Sequence, residues 1–181
     1  MSYVVEIVPY DPIWPARFAQ LGSELRAALG TTALRIDHIG STAIPGLAAK
    51  PIIDIQISVA AFEPLDAYRL PMERLGYVFR ADNTERTKRY FREAPGTPRR
   101  HIHVRRAGSW AEQFALLFRD YMRTHAEEAR RYEPLKYQLA AKYREDRHSY
   151  TDAKAPFIWE IMTMADRWSQ EIGWEPGSTD A

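Results

Sequence analysis

The sequence predicts an α+β fold, a mixed α/β sheet with flanking helices and a C-terminal helical part. Three observations predict it. An amphipathic helix precedes the first strand signal. Short runs of alternating apolar and polar residues recur between residues 33 and 106, interrupted by one helical stretch. Beyond Ser109 the apolar spacing changes to that of helices and stays there. The order of helix, mixed strands and helix, then helices does not fit a doubly wound sheet. The expected boundaries are a core over 1–108, a helical part over 109–172 packed on that core, and a loose tail over 173–181.

Asp11 is the expected N-cap of the first helix, and Pro12 sits where a missing N–H costs nothing. Trp14, Phe18, Leu21 and Leu25 form its apolar stripe, and Gly30 ends it. "ALRIDHI" and "PIIDIQISV" read as strands. In the second, Ile53, Ile55 and Ile57 share one face and Asp54, Gln56 and Ser58 the other, because strand side chains alternate. "EPLDAYRLPMERLG" reads as a helix weakened at Pro71. "YVFRA", "TKRYFRE" and "RRHIHVRR" read as three strands, the last two joined by the turn "APGTP".

In the C-terminal part Ser109 and Glu112 form a capping-box signature before a stripe of Trp110, Phe114, Leu117, Phe118 and Tyr121. Thr124 and Glu127 repeat the signature. Pro134 is expected to kink or restart the next helix. Asp152 is the expected cap of the last helix, which Gly173 ends.

Composition narrows the function. With 181 residues, 45% of them hydrophobic and 27% charged, the chain has the make-up of a globular protein with a sizeable core. It has no cysteine, which excludes disulfides, thiolate zinc sites and a thiol nucleophile. No apolar run approaches the roughly 18 residues of a membrane span, and no signal peptide is evident, so a cytoplasmic protein is expected. The net charge of +1 is uninformative, but residues 80–106 hold nine basic and three acidic side chains. That excess is either a solvated hairpin or a local field for anions.

The chemistry concentrates in "HIGSTAIPGLAAKPIIDIQIS", residues 38–58. It is not a P-loop: five residues separate Gly40 from Gly46, Leu47 follows the second glycine, and Pro51 follows Lys50. Asp54 is a carboxylate among isoleucines and needs a partner. The partner is either a counter-ion (Lys50, Arg105 or Arg119) or a metal or substrate. Further on, His101, His103 and Arg105 share a strand face by alternation.

A Gly-Ser turn, Gly40-Ser41, followed after twelve residues by Asp54-Ile55-Gln56-Ile57 resembles the signature of the DNA polymerase beta-like nucleotidyltransferases. There an acid–apolar–acid–apolar strand grips divalent ions that bind triphosphate oxygens. Together with "RRHIHV", "FRDYMRTHAEEARRYEPLKYQLA" and "YTDAKAPFI", the stretch resembles the GrpB family, a branch of that fold, over about Val5 to Trp168. The resemblance implies a nucleotidyltransferase-like mixed sheet over 1–108. It implies Gly40, Ser41 and Thr42 as phosphate-binding residues, with His38, Gln56 and Arg105 beside them, and Asp54 and Lys50 as catalytic residues. Asp54 and His103 are the implied metal ligands, with Mg²⁺ or Mn²⁺ as the ion. The chain departs from the signature where its second acid is Gln56 and the best counterpart of its third is His103. Those two residues supply two fewer negative charges, which suits a single Mn²⁺ or Zn²⁺, or no metal, better than a Mg²⁺ pair.

Three functions stay open. The chain transfers a nucleotidyl group from a nucleoside triphosphate to an acceptor. Or it binds a nucleotide or phosphate ligand without catalysis. Or it binds RNA through the basic segment 86–106, where arginines interleave with Tyr90 and Phe91. GrpB-like domains also occur fused to dephospho-coenzyme A kinase, but the absence of a phosphate loop argues against that activity here. Arg119, Lys136 and Lys154 are further cations that could face a phosphate, while Asp120 and Arg123 are spaced for a local ion pair.

Overall fold

The computed structural model describes residues 4–181. The first helix, α1 (Trp14–Leu29), buries Trp14, Phe18, Leu21 and Leu25 along the expected stripe. Its start differs from the expectation. Asp11 accepts from the N–H of Ile13 (3.0 Å) and so caps the preceding turn, and the helix begins at Trp14. Gly30, with φ of 52°, ends it.

Five strands follow: β1 (Arg35–Ile39), β2 (Ile53–Val59), β3 (Val78–Phe79), β4 (Arg89–Arg92) and β5 (Arg100–Arg106), with helix α2 (Asp66–Arg74) between β2 and β3. The sheet order is β1-β2-β5-β4-β3, and only β2 and β5 run parallel. Ile53, Ile55 and Ile57 of β2, Ile102 and Val104 of β5 and Phe91 of β4 form one face and pack against α1 and α2. The other face carries Asp54, Gln56, Ser58, His101, His103 and Arg105, as alternation requires.

The C-terminal helices are α3 (Trp110–Thr124), α4 (Ala126–Lys142), α5 (Arg147–Asp152) and α6 (Ala155–Ile172). A second core joins them to the segment between β1 and β2: Ile44 and Leu47 pack with Tyr121, Met122, Tyr132 and Ile161. Helices therefore cover both faces of the sheet, and the polar face is closed by elements with apolar faces of their own.

Several terminal details differ from the expectations. On α3, Trp110 is 70% exposed, and the buried positions are Glu112, Leu116, Arg119, Tyr121 and Met122. Two of these are charged, so apolar spacing alone misplaces the face. Ser109 does cap α3, but Glu112 accepts from the N–H of Gly108 (2.6 Å). Thr124 is the last residue of α3, and its hydroxyl donates to the carbonyls of Asp120 and Tyr121 instead of capping α4. Asp152 ends α5 and caps nothing, because Asp146 caps that extra helix through the Ser149 N–H (3.0 Å). Helix α4 continues through Pro134.

The tail is not loose. Thr179 Oγ1 accepts from the N–H of Ile36 (2.9 Å), and Asp180 accepts from the N–H of His38 (3.0 Å). Those are donors on the outer edge of β1, which among the described residues has no strand neighbour on that side.

Candidate functional site

The site begins with strand register. In the parallel β2–β5 pair, Asp54 lies opposite His101 and Gln56 opposite His103. Asp54 Oδ1 is 3.0 Å from His101 Nδ1 and 3.5 Å from His103 Nε2. The ring of Tyr90, from β4, stands 5.7 and 5.3 Å from the two imidazoles. Burial pushes the Asp54 carboxyl up, but the side-chain hydrogen bonds from His101 and His103 outweigh it and hold the group well below the usual carboxylate range. Burial lowers His103 to about 4, against the opposing pull of Asp54, so its imidazole is neutral at pH 7.

The turn over this carboxylate is fixed from both ends. Gly40 has φ of 70°, and a Cβ there would stand 2.8 Å from Asp54 Oδ2, so glycine serves both backbone and close approach. Thr42 Oγ1 donates to the Ile52 carbonyl (3.2 Å) and has no second proton. The 3.0 Å contact with His38 is therefore donated by His38 Nε2. The His38 ring stacks on Phe18 (4.8 Å between centroids), and burial, aided by Arg123, lowers its pKa to about 4. From the other side, Arg123 Nε donates to the Ala43 carbonyl (2.9 Å).

Turn, sheet face and C-terminal helices enclose a cavity of about 600 Å³. Lys50, Lys88, Arg105, Lys136, Arg147 and Lys154 line it, against the carboxylates of Asp54 and Asp152. Lys50 Nζ and Lys154 Nζ stand 5.0 and 4.6 Å from the centroid of the buried Tyr150 ring. Lys136 is almost wholly buried, donates to the Ala48 carbonyl and lies over Tyr132. Among the described residues none of Lys50, Lys136 and Lys154 forms an ion pair. Burial lowers the pKa of all three; the Lys154 and Lys50 charges lower Lys136 further, and Lys154 is pushed down to about 8. Three buried lysines around one space, each short of a counter-charge, form a site suited to an anion.

Gly40, Ser41, Thr42, Lys50, Asp54, His103 and Arg105 all line this cavity. Two residues expected at the ligand do not. His38 stands behind the turn and supports Thr42. Gln56 is fully buried on the same sheet face, under α3: its Nε2 donates to the Glu112 carbonyl (3.3 Å), and its Oε1 accepts from Arg105 (3.3 Å).

The partners of Asp54 are histidines, not the cations considered from sequence. Arg119 instead joins Asp37 (3.3 Å), Asp120 (2.7 Å) and Asp180 (2.9 Å). Asp120 thus pairs with Arg119 and not with Arg123, which reaches the Ala43 carbonyl and Asp180. In the basic hairpin, Lys88, Arg89 and Arg92 pair with Glu85, Glu63 and Glu93, so much of its excess charge is compensated locally. Sequence reasoning gave Lys136 and Lys154 no firm role and missed Tyr150. Their signal was the unfavourable placement of Lys154 before a helix N-terminus.

The fold is α+β, a mixed five-stranded sheet with a Gly-Ser turn over a strand carboxylate and helices on both faces. The chain belongs to the GrpB family, described as GrpB protein, which it matches over residues 4–164. The UPF0157 protein PA4798 of Pseudomonas aeruginosa is 38% identical over 89% of this chain and 67% of its own length. Other curated relatives are about twice as long as the stretch they share with this chain. The crystal structure of GrpB from Enterococcus faecalis superposes with a TM-score of 0.81 at 32% identity, covering 90% of this chain and 99% of that one. The Cid1 poly(U) polymerase shares the fold at a TM-score of 0.55 and 11% identity, over 81% of this chain and 49% of Cid1. Among the described residues no helix is long and apolar enough to cross a membrane.

Proposed function

We infer that the protein binds a phosphate-bearing ligand of the nucleotide class in the cavity between the Gly40–Thr42 turn and helices α4–α6. The observation that carries this reading is the charge balance of the cavity: six lysines and arginines against two carboxylates, with three lysines in no ion pair. The turn offers backbone N–H groups and the Ser41 hydroxyl to one phosphate. Lys50, Lys136 and Lys154 take the remaining negative charge. Phe114, Phe118 and Tyr132 supply the apolar wall that a base or similar group requires.

A second reading, nucleotidyl transfer from a nucleoside triphosphate, is favoured by the contact between Gly40 and Asp54, which sets the phosphate turn directly over the strand acid. In that reaction Asp54 would hold a divalent cation, which would supply Lewis-acid charge to the phosphates, and Lys50 and Arg105 would offset charge in the transition state. The buried Gln56 leaves the strand with one cavity-facing carboxylate, so ligand binding is the reading the geometry supports first.

A thermal-shift panel of nucleotides, run with EDTA and with Mg²⁺ or Mn²⁺, tests both. Stabilisation by nucleoside triphosphates in EDTA supports binding. Turnover that depends on an added ion and is lost in Asp54→Ala supports transfer. Absence of any shift sinks both. Binding of oligonucleotides alone, with a steep salt dependence, would instead favour the basic hairpin.

A further inference from the structure

The fold's usual metal site is a pair of carboxylates on one strand, a donor set for Mg²⁺. The residues here do not fit that ion. Gln56 is covered by α3 and does not line the cavity, and Asp54 Oδ1 faces two imidazoles. Mg²⁺ demands oxygen ligands and usually carboxylates, whereas imidazole suits zinc and other late first-row ions.

We propose that Asp54, His101 and His103 form a binding site for a single nitrogen-preferring divalent ion of the Zn²⁺ type, one that discriminates against Mg²⁺.

The first support is spacing. One ligand atom from each residue lies within 4.8 Å of the others. Donors held about 2.0–2.2 Å from one Zn²⁺ at angles between 90° and tetrahedral stand roughly 2.9–3.5 Å apart. Asp54 Oδ1 lies at 3.0 and 3.5 Å from the two imidazole nitrogens. The two imidazole nitrogens lie within 4.8 Å of each other, so an ion would be held once the rings close in on it.

The second support is that both rings aim a nitrogen at the same oxygen: His101 Nδ1 and His103 Nε2 both face Asp54 Oδ1. The 3.5 Å contact is long for a hydrogen bond.

The third support is position. All three residues line the cavity, so coordination positions beyond the protein's three remain open toward it. With neutral imidazoles, one carboxylate and a divalent ion, the site carries a net positive charge and adds to the cationic wall. It would meet a phosphate oxygen or a water molecule there. The strands fix the arrangement: Asp54 and His101 are register partners on parallel β2 and β5, and His103 is two residues on along the same face.

The test uses Co²⁺ as a spectroscopic probe on the full chain freed of metal, with no nucleotide present, so that its outcome is independent of the phosphate-binding reading. Stoichiometric Co²⁺ should give visible d–d bands of a four- or five-coordinate site. One equivalent of Zn²⁺ should erase them, and millimolar Mg²⁺ should leave them in place. Asp54→Ala and His101→Gln should each weaken Zn²⁺ binding more than about 100-fold, beyond the 10–100-fold typical of losing an outer-shell partner. His125→Gln, on the ring stack with Tyr121 far in sequence from β2 and β5, should not change it. Circular dichroism reports whether each variant is folded. The wild-type titration alone is decisive: no Co²⁺ bands, or bands displaced equally by Mg²⁺, would overturn the proposal. So would Zn²⁺ affinity unchanged in a folded Asp54→Ala or His101→Gln protein.

Discussion

Gly40 and Asp54 are in direct contact: a Cβ on Gly40 would lie 2.8 Å from Asp54 Oδ2 and 3.2 Å from its Cβ. The Gly40–Thr42 turn and the strand acid are therefore one unit. Gly40→Ala adds a side chain at a φ of 70° and forces the carboxylate aside. It should cost about 1–3 kcal/mol of stability, the usual range for a backbone held in such a region. It should also lower nucleotide affinity more than its effect on folding explains. Denaturant melts and calorimetry on the same sample separate the two effects.

The lysine cluster makes ligand binding pH-dependent. Lys154 titrates near 8, so its positive charge is present at pH 7 and lost by pH 9. Phosphate-ligand affinity should fall by ~10-fold or more across that interval, since a hydrogen bond to a charged group contributes roughly 1.5–3 kcal/mol. Lys154→Met should bind weakly at both pH values and flatten the profile. Stability of the ligand-free protein should move the opposite way. Between the folded pKa of about 8 and the ordinary lysine value of 10.5 the unfolded chain holds more protons, so this group makes the fold more stable as pH rises. Calorimetry and urea melts from pH 7 to 10 check both directions.

Arg119 is buried at the edge of the sheet between Asp37 and Asp180, with Asp120 on its Nε. Arg119→Met leaves the buried Asp37 with Arg35 as its remaining ion-pair partner. Loss of one member of such a network should cost about 3–5 kcal/mol. Urea melts should show it, while cavity lysines titrated with a phosphate ligand in the remaining folded protein should respond as in the wild type.

Gln56→Glu restores the acid–apolar–acid pattern on paper. Its amide, however, donates to the Glu112 carbonyl and lies outside the cavity lining. One carboxylate oxygen keeps Arg105, but the other faces the Glu112 carbonyl, which loses its donor, so the variant should lose about 1–3 kcal/mol of stability. It should gain no Mg²⁺ affinity, which a titration with Mg²⁺ followed by thermal unfolding would show.

The sheet was legible because its strands alternate cleanly: Ile53, Ile55 and Ile57 against Asp54, Gln56 and Ser58 leave one register and one core face. The Gly-Ser spacing pointed to a turn and a strand acid facing a common ligand, and did not foretell how closely Gly40 approaches Asp54. The roles of individual polar residues were less legible, because they depend on long-range neighbours. Nothing local says that Gln56 ends under Glu112, or that His38 props the turn from behind. Arg119 and Glu112 occupy the buried face of α3, where apolar spacing is blind to charged groups that find partners in the sheet. The tail composition predicts looseness, yet Thr179 and Asp180 satisfy open donors on the edge of β1. Tyr150, the ring beside both Lys50 and Lys154, sits in a six-residue helix too short to leave a periodic signal.

The central claim is that the cationic cavity takes a phosphate-bearing ligand. Isothermal titration of the wild-type protein with inorganic tripolyphosphate and with ATP, both in EDTA, tests it most directly. The account predicts one site per chain for each, and at least a ~10-fold loss of affinity when Lys50 and Lys154 are both changed to Met, with the fold intact by circular dichroism. Absence of binding in the wild type, or binding that the double variant retains in full, would contradict it.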